Sequence, residues 1–298
     1  MNTSDPGTFP QKLSTRLWML GNPHFNLYLV RGTHGSALIE VGVSAIVDAV
    51  INQLNALGTA PDYLVVTHPH ADHLTGLSGL LNAFPKAVTI FGEGAIEFMS
   101  HPKALPGMIK EDAFIGNRLS DLGIQKGRPP IRDMVTPENR QVVKTRHEID
   151  LGGTTLKLFP VKGHSPGGLA AELPEENALI VSDALGFHYS NLVFCPMFFT
   201  GFNDYIATLD QLAALKPDIL GPGHHGPFTG KDVERAFAGA QEAAVKFVER
   251  IRTNEKDGEQ LARDLFDEYY REGFSLYTET NILGCMQLLV RRALEAAE

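Results

Sequence analysis

The sequence predicts an α/β (α+β) protein, with sheets covered by helices and a helical subdomain closing the C-terminal end. Three observations predict it. Short apolar runs of strand type alternate with segments of helical period, the pattern of layered sheets and helices. The stretch Thr67-His68-Pro69-His70-Ala71-Asp72-His73-Leu74-Thr75-Gly76 packs three imidazoles and a carboxylate between a strand-type run and a helical one. From Lys231 to Glu298 the chain changes character and shows helical periodicity.

Taken in order, residues 16–20, 25–30 and 36–41 read as hairpin strands, with turn chemistry at Gly32 and Gly35. Residues 45–57 read as a helix stopped by Gly58. A strand at 63–66 leads into the histidine-rich stretch, and Leu77, Leu80, Leu81 and Phe84 give the amphipathic helix that follows it. Residues 86–91 read as a strand and 93–100 as a short helix. The region of about 101–141, rich in proline, glycine and charge, reads as a surface excursion holding one helix, either a lid or decoration.

Order resumes with strands at 141–145, 155–161 (after a Gly152-Gly153 turn), 169–173, 178–181 and 218–220, and a helix at 203–215. Three further helices are marked by Ala244, Phe247, Val248 and Ile251, by Ala262, Leu265, Phe266 and Tyr269, and by Ile282, Met286, Leu289 and Ala293. Asp257 with Gln260 resembles a capping box. The domain division expected is 1–230 for the sheet-bearing unit and 231–298 for the helical subdomain.

Composition bounds the function. The chain has 298 residues, 43% of them hydrophobic, enough for a sizeable core. Its formal charge of -9 gives no counterion-release energy on phosphate backbones or anionic membranes, so neither nucleic acid nor membrane is expected as a partner. Residues 1–7 show no charged or apolar leader region, and no apolar run approaches the roughly 20 residues that span a bilayer. Cys195 and Cys285 form no C-x-x-C pair, so reduced, structural thiols in a cytoplasmic protein are expected, with Cys285 on an apolar helical stripe.

His68, His70, Asp72 and His73 suit a metal site, because an irregular turn held between two rigid elements can aim all four at one point. Imidazole nitrogen and carboxylate oxygen suit zinc, iron or manganese. The alternative is a polar surface loop that happens to be rich in histidine. Further donors lie just after strands: His164 in Gly163-His164-Ser165-Pro166-Gly167-Gly168, Asp183 in Ser182-Asp183-Ala184, and His224 and His225 in Gly221-Pro222-Gly223-His224-His225-Gly226. A polar residue in a glycine-rich turn at a strand end can reach a common centre without bulky backbone in the way.

With these four motifs in this order, the chain resembles the metallo-β-lactamase superfamily. The resemblance implies an αββα sandwich with the metal site at one edge of two facing sheets. It places His68, His70 and His164 on one metal and Asp72, His73 and His224 on a second, bridged by Asp183. The implied cofactors are two divalent ions per chain, zinc foremost and iron or manganese as alternatives. The implied nucleophile is a bridging hydroxide, with Asp72 and Asp183 the carboxylates of the catalytic centre. His225 is the alternative to His224 as ligand, and the Pro222-Gly223 turn favours His224. Two positions depart from the family pattern: Glu40 stands where Asp-Thr-Gly is usual, and Ser182 where glycine is.

The run Phe187, His188, Tyr189, Leu192, Phe194, Met197, Phe198, Phe199 and Phe202 suggests the wall of an apolar pocket, about half of it core packing. Phe187, His188, Phe194, Phe198 and His225 are the substrate-side candidates, and Phe274, Tyr277 and Met286 a roof. His24, His34, His101 and His147 carry no ligand spacing. Ser182-Asp183-Ala184-Leu185-Gly186 and the helical tail give a looser resemblance to the bacterial quinolone-signal response thioesterase branch. The function expected is hydrolysis of a thioester, ester or lactone with an apolar part, on a small-molecule substrate, with a homo-oligomer left open. Two alternatives stand beside it. One is a mononuclear iron persulfide dioxygenase, whose loop resembles Thr67 to Gly76 but whose last motif does not resemble residues 222–227. The other is a signalling protein acting through a partner bound to the helical tail.

Overall fold

The computed structural model describes residues 8–124, 127–189 and 192–296. The leader reading of residues 1–7 lies outside them. Two sheets face each other. The first holds seven strands in sequence order: β1 (Gln11–Lys12), β2 (Leu17–Gly21), β3 (Asn26–Arg31), β4 (Ser36–Ile39), β5 (Tyr63–Val65), β6 (Val88–Gly92) and β7 (Arg140–Val143). Its first four strands are antiparallel and β4 to β7 run parallel. The parallel crossovers are helical: α1 (Val47–Ala56), then the single turn α2 (Ala71–Leu74) with α3 (Leu77–Ala83), then α4 (Ala95–Met99) and α5 (Ala104–Asp121).

The second sheet contains β8 (His147–Asp150), β9 (Thr155–Pro160), β10 (Leu169–Leu173) and β11 (Ala178–Ile180). It also contains β14 (Ile219–Gly221) and β15 (Phe228–Thr229), in the order β15-β14-β11-β10-β9-β8. Between β11 and β14 come a small hairpin of β12 (Phe187–Tyr189) and β13 (Val193–Cys195), then α6 (Phe202–Ala213). Three helices end the chain: α7 (Lys231–Arg252), α8 (Gly258–Tyr269) and α9 (Glu279–Glu295).

Period-two alternation builds two cores. Met19, Tyr28, Val30, Ile39, Val65, Leu158, Ala171 and Ile180 meet between the sheets. Their neighbours Leu20, Leu27, Leu29, Leu38, Leu64 and Val66 point outward into a second core shared with the helices, and that core continues through Val233, Phe237, Ala244, Phe247, Leu265 and Leu289. No helix among the described residues is long and apolar enough to cross a membrane.

The region 101–141, expected as a surface excursion holding one helix, does hold one in its first half: α5 has 18 residues, but its Met108, Glu111, Asp112, Ile115 and Leu119 are buried, so it packs into the body of the protein and does not lie on the surface. Pro106 and Gly107 read as breakers in sequence, but proline is tolerated in the first turn, where its missing N–H has no intrahelical partner to lose. β8 was missed because Ile149 is its one apolar residue, and β9 supplies its pairing. The capping box is half made: Asp257 accepts from the Glu259 and Gln260 amides, while the Gln260 side chain turns to Asp264 at 3.0 Å.

Candidate metal centre

Every donor stands where a strand of the sandwich ends. β5 runs into Thr67 and His68, His70 precedes α2, and Asp72 and His73 lie in it. His164 follows β9, Asp183 follows β11 in a 3₁₀ turn, and His224 follows β14. These ends converge. His68, His70, His164 and Asp183 present ligand atoms within 4.8 Å of one another, and so do Asp72, His73, Asp183 and His224. Asp183 belongs to both groups.

The donors fit a cation on their own chemistry. Nε2 of His164 lies 3.3 Å from Nε2 of His68 and 3.2 Å from Nδ1 of His70, and the last two are 3.1 Å apart. Burial, reinforced by neighbouring imidazoles, lowers the pKa of His68 and His70, the latter to about 3, and burial also lowers that of His164. Three neutral imidazoles therefore aim lone pairs at one point, an arrangement that a shared Lewis acid satisfies. In the second group, Nε2 of His73 and of His224 lie 3.2 and 3.3 Å from Oδ2 of Asp72. Both nitrogens are buried without an aligned hydrogen-bond partner. They point at the space between the carboxylates.

Charge in this second group is balanced by protons. Burial opposes ionisation of Asp72 and Asp183, but the charges of the neighbouring His73 and His224 outweigh it and hold both carboxyls well below the usual range. Reciprocally, burial would lower His224, but Asp183 and Asp72 raise it to about 10, and the carboxylates likewise raise His73. The two carboxylates thus favour positive charge between the ring nitrogens, an electrostatic niche for a cation.

The outward nitrogens are held as well. His73 Nδ1 meets Glu40 Oε2 at 2.9 Å, His164 Nδ1 donates to the Met197 carbonyl at 2.9 Å, and His224 Nδ1 to the His24 carbonyl at 2.7 Å. Thr67 Oγ1 donates to Glu40 Oε1 at 2.7 Å and stands 3.2 Å from His68 Nδ1. Such outer contacts set ring tautomer and orientation. Glu40, one of the two departures from the family pattern, therefore makes a supporting contact to a ligand ring. It does so at φ 76, a left-handed backbone that costs a non-glycine residue. Ser182, at φ 50, likewise occupies a glycine-like conformation and places its hydroxyl 3.4 Å from His68 Nδ1.

A cavity of about 660 Å³ opens onto His70, Asp72, His164, Asp183 and His224. Its walls are α5 and α9 together with Phe98, Met197, Phe199 and Phe274. Of the substrate-side candidates, Phe187 lines it. His188 and His225 do not: both line a separate cavity with His24 and Phe228. His225, at φ 50, turns away from the cluster and donates from Nδ1 to the His188 carbonyl at 3.1 Å. Phe194 packs on Gly239 of α7, and Phe198 on Phe202, Tyr205 and Phe247, so both are core. Among the roof candidates, Phe274, Tyr277 and Met286 all line the cavity. Cys285 lines it too and is only partly buried, not the core residue expected; burial raises its thiol to about 12.

Sequence reasoning missed what α5 does. Asp112, with no solvent exposure, accepts from the Ser44 amide and hydroxyl at 3.0 and 2.7 Å, from Thr75 Oγ1 at 2.7 Å and from the Ile131 amide at 2.9 Å. It ties the end of the ligand stretch to the helix wall. Glu111 accepts the Thr278 amide at 3.1 Å and its hydroxyl, joining α5 to the start of α9. The readable signal was two carboxylates on the stripe Met108, Ile115, Leu119. The Tyr277 hydroxyl, read only as roof, donates to Asp72 Oδ2 at 2.7 Å.

The sequence model of the metallo-beta-lactamase superfamily matches residues 25–224. The chain is similar to Bacillus subtilis (strain 168) YobT, 25% identical over 73% of this chain and 90% of that protein. It is similar to a hydroxyacylglutathione hydrolase of Ruegeria pomeroyi, 28% identical over 61% of this chain and 56% of that one. Its fold resembles the crystal structure of the archaeal metallo-beta-lactamase superfamily protein ST1585 from Sulfolobus tokodaii, at TM-score 0.57 and 19% identity, covering 92% of this chain and 93% of that one.

Proposed function

Because the chain belongs to the metallo-β-lactamase superfamily, we propose that it is a dinuclear metal-dependent hydrolase of a thioester, ester or lactone whose acyl part is apolar. One observation carries the reading: the convergent imidazoles and carboxylates form the floor of a cavity whose walls are largely apolar. In this reading His68, His70 and His164 hold one ion, Asp72, His73 and His224 the other, and Asp183 reaches both. Divalent ions bound among such donors lower the pKa of water to about 7 and polarise an acyl oxygen.

The protein's own groups do the rest. Glu40, Thr67 and the Met197 and His24 carbonyls lock the ligand rings before substrate arrives, so no reorganisation is needed at the reacting step. The Tyr277 hydroxyl donates to Asp72 and so orients that carboxylate at the cavity floor. Phe187, Phe199 and Phe274 exclude bulk water, which strengthens each polar contact inside. The similarity to a protein named for cleaving hydroxyacylglutathione supports an acyl-thiol substrate. Residues 231–298 act as a subdomain that roofs the site, and a cytoplasmic location goes with the reading.

The test is metal content by plasma mass spectrometry on protein purified without chelator or added metal, followed by acyl thioester, ester and lactone panels. Two equivalents of zinc, manganese or iron with chelator-sensitive turnover are expected. A loaded protein that cleaves none of these would overturn the proposal. A single iron with oxygen uptake on glutathione persulfide would replace it with the dioxygenase.

A further inference from the structure

Glycine disfavours a helix interior more than any residue but proline, so a mid-helix glycine needs a reason. For two of them packing supplies it: a Cβ on Gly79 of α3 would meet Val47 Cγ1 at 2.8 Å, and on Gly239 of α7 the Phe194 ring at 3.0 Å, whereas on Gly116 of α5 it would make an ordinary contact with the Ala45 Cβ at 3.6 Å. Gly107, in the first turn of α5, and Gly284 of α9 are different: both are exposed at the mouth of the cavity, and a Cβ on either would meet nothing within 4 Å. Both line the cavity above the candidate metal centre.

We propose that Gly107 and Gly284 are specificity-determining residues, whose missing side chains leave the path by which an elongated, straight-chain acyl group runs between α5 and α9 to the metal floor. The inference rests on the hydrolase reading for what happens at the floor, but not for the path itself. The helical spacing is consistent with it. Ala104, Gly107, Met108 and Glu111 are one face of α5, and Asn281, Gly284, Cys285 and Leu288 one face of α9, so each glycine sits in the middle of a lining face. Met108, Cys285 and Leu288 beside them are apolar and unbranched at Cβ, a surface for methylenes. At the floor, the path ends at the buried His224, one of the candidate metal ligands. The two walls are tied together by Glu111 and Thr278, which sets the width of the opening.

The experiment compares wild type with Gly284→Ala, Gly284→Leu and Gly107→Leu as metal-loaded full chains. Calorimetric titration with decanoate is read beside the decanoyl-to-acetyl ratio of kcat/KM on thioesters, with the thermal midpoint as a control on folding. Alanine and leucine favour helix, so midpoints equal to or above wild type are expected. Decanoate affinity and the decanoyl-to-acetyl ratio should each fall tenfold or more in the leucine variants, with Gly284→Ala, the variant least disturbing to the fold, between them and wild type. Failure of wild type to bind decanoate, or variants that bind it as tightly as wild type does, would overturn the proposal. Absence of turnover on every acyl substrate, with decanoate binding still dependent on residues 107 and 284, would sink the hydrolase reading and leave the path standing.

Discussion

Glu40→Gln isolates the charge behind one ligand. Glu40 is 1% exposed and spends both oxygens, Oε2 on His73 Nδ1 at 2.9 Å and Oε1 on Thr67 Oγ1 at 2.7 Å. Glutamine keeps the shape: its carbonyl can accept from His73 Nδ1–H, and its amide can donate to the Thr67 hydroxyl. What is lost is the charge assistance, worth about 1 to 1.5 kcal/mol for one such bond. That corresponds to roughly a tenfold loss of metal affinity, at the lower end of the 10- to 100-fold seen when outer partners of metal ligands are changed. Glu40→Ala removes the partner altogether and should approach the upper end. The assay is competition with a chromophoric chelator for zinc at fixed pH. The reasoning fails if Glu40→Gln binds zinc within twofold of wild type while His73→Ala loses it, since His73 would then be oriented without help from the carboxylate.

His224→Ala should remove one of two metal equivalents while His225→Ala leaves metal content intact, by mass spectrometry; the reverse would move the ligand by one residue. Asp112→Ala strands two backbone amides and two hydroxyls in the interior at roughly 1 kcal/mol or more each, so a loss of about 4 kcal/mol in urea unfolding is expected, and a loss under 1 kcal/mol would refute the stitching role. In the metal-free protein Asp183 and Asp72 outweigh burial and raise the folded pKa of His224 from its ordinary value of 6.5 to about 10. Its stabilising contribution is therefore full below about 6.5 and lost as pH rises through about 10. Apparent zinc affinity should rise over the same window, because the ion displaces that proton. A metal-free protein with flat stability from pH 6.5 to 10 would contradict this pairing.

Much of this protein was legible in one dimension. Strand ends, glycine turns and the dense H-x-H-x-D-H stretch are local signals, so the order of the sandwich and the identity of the donors could be read directly, as could the C-terminal helices through their spacing. A strand such as β8, with one apolar residue, could not, because its stability comes from β9 beside it. Nor could the burial of the one helix expected in 101–141, because Asp112 and Glu111 hold α5 through Ser44 and Thr278, far away along the chain.

The aromatic run after Asp183 shows the same limit. Its composition announced an apolar region, but strand pairing of Phe187 with Cys195 decides which rings face the cavity and which face α7. His224 and His225 are adjacent and chemically identical, yet they line different cavities. Sequence by itself determined which residues can bind a cation, because donor chemistry belongs to the side chain. Which of them meet, what orients them and what space lies above them was decided by tertiary structure alone, because those properties depend on distances between segments far apart along the chain.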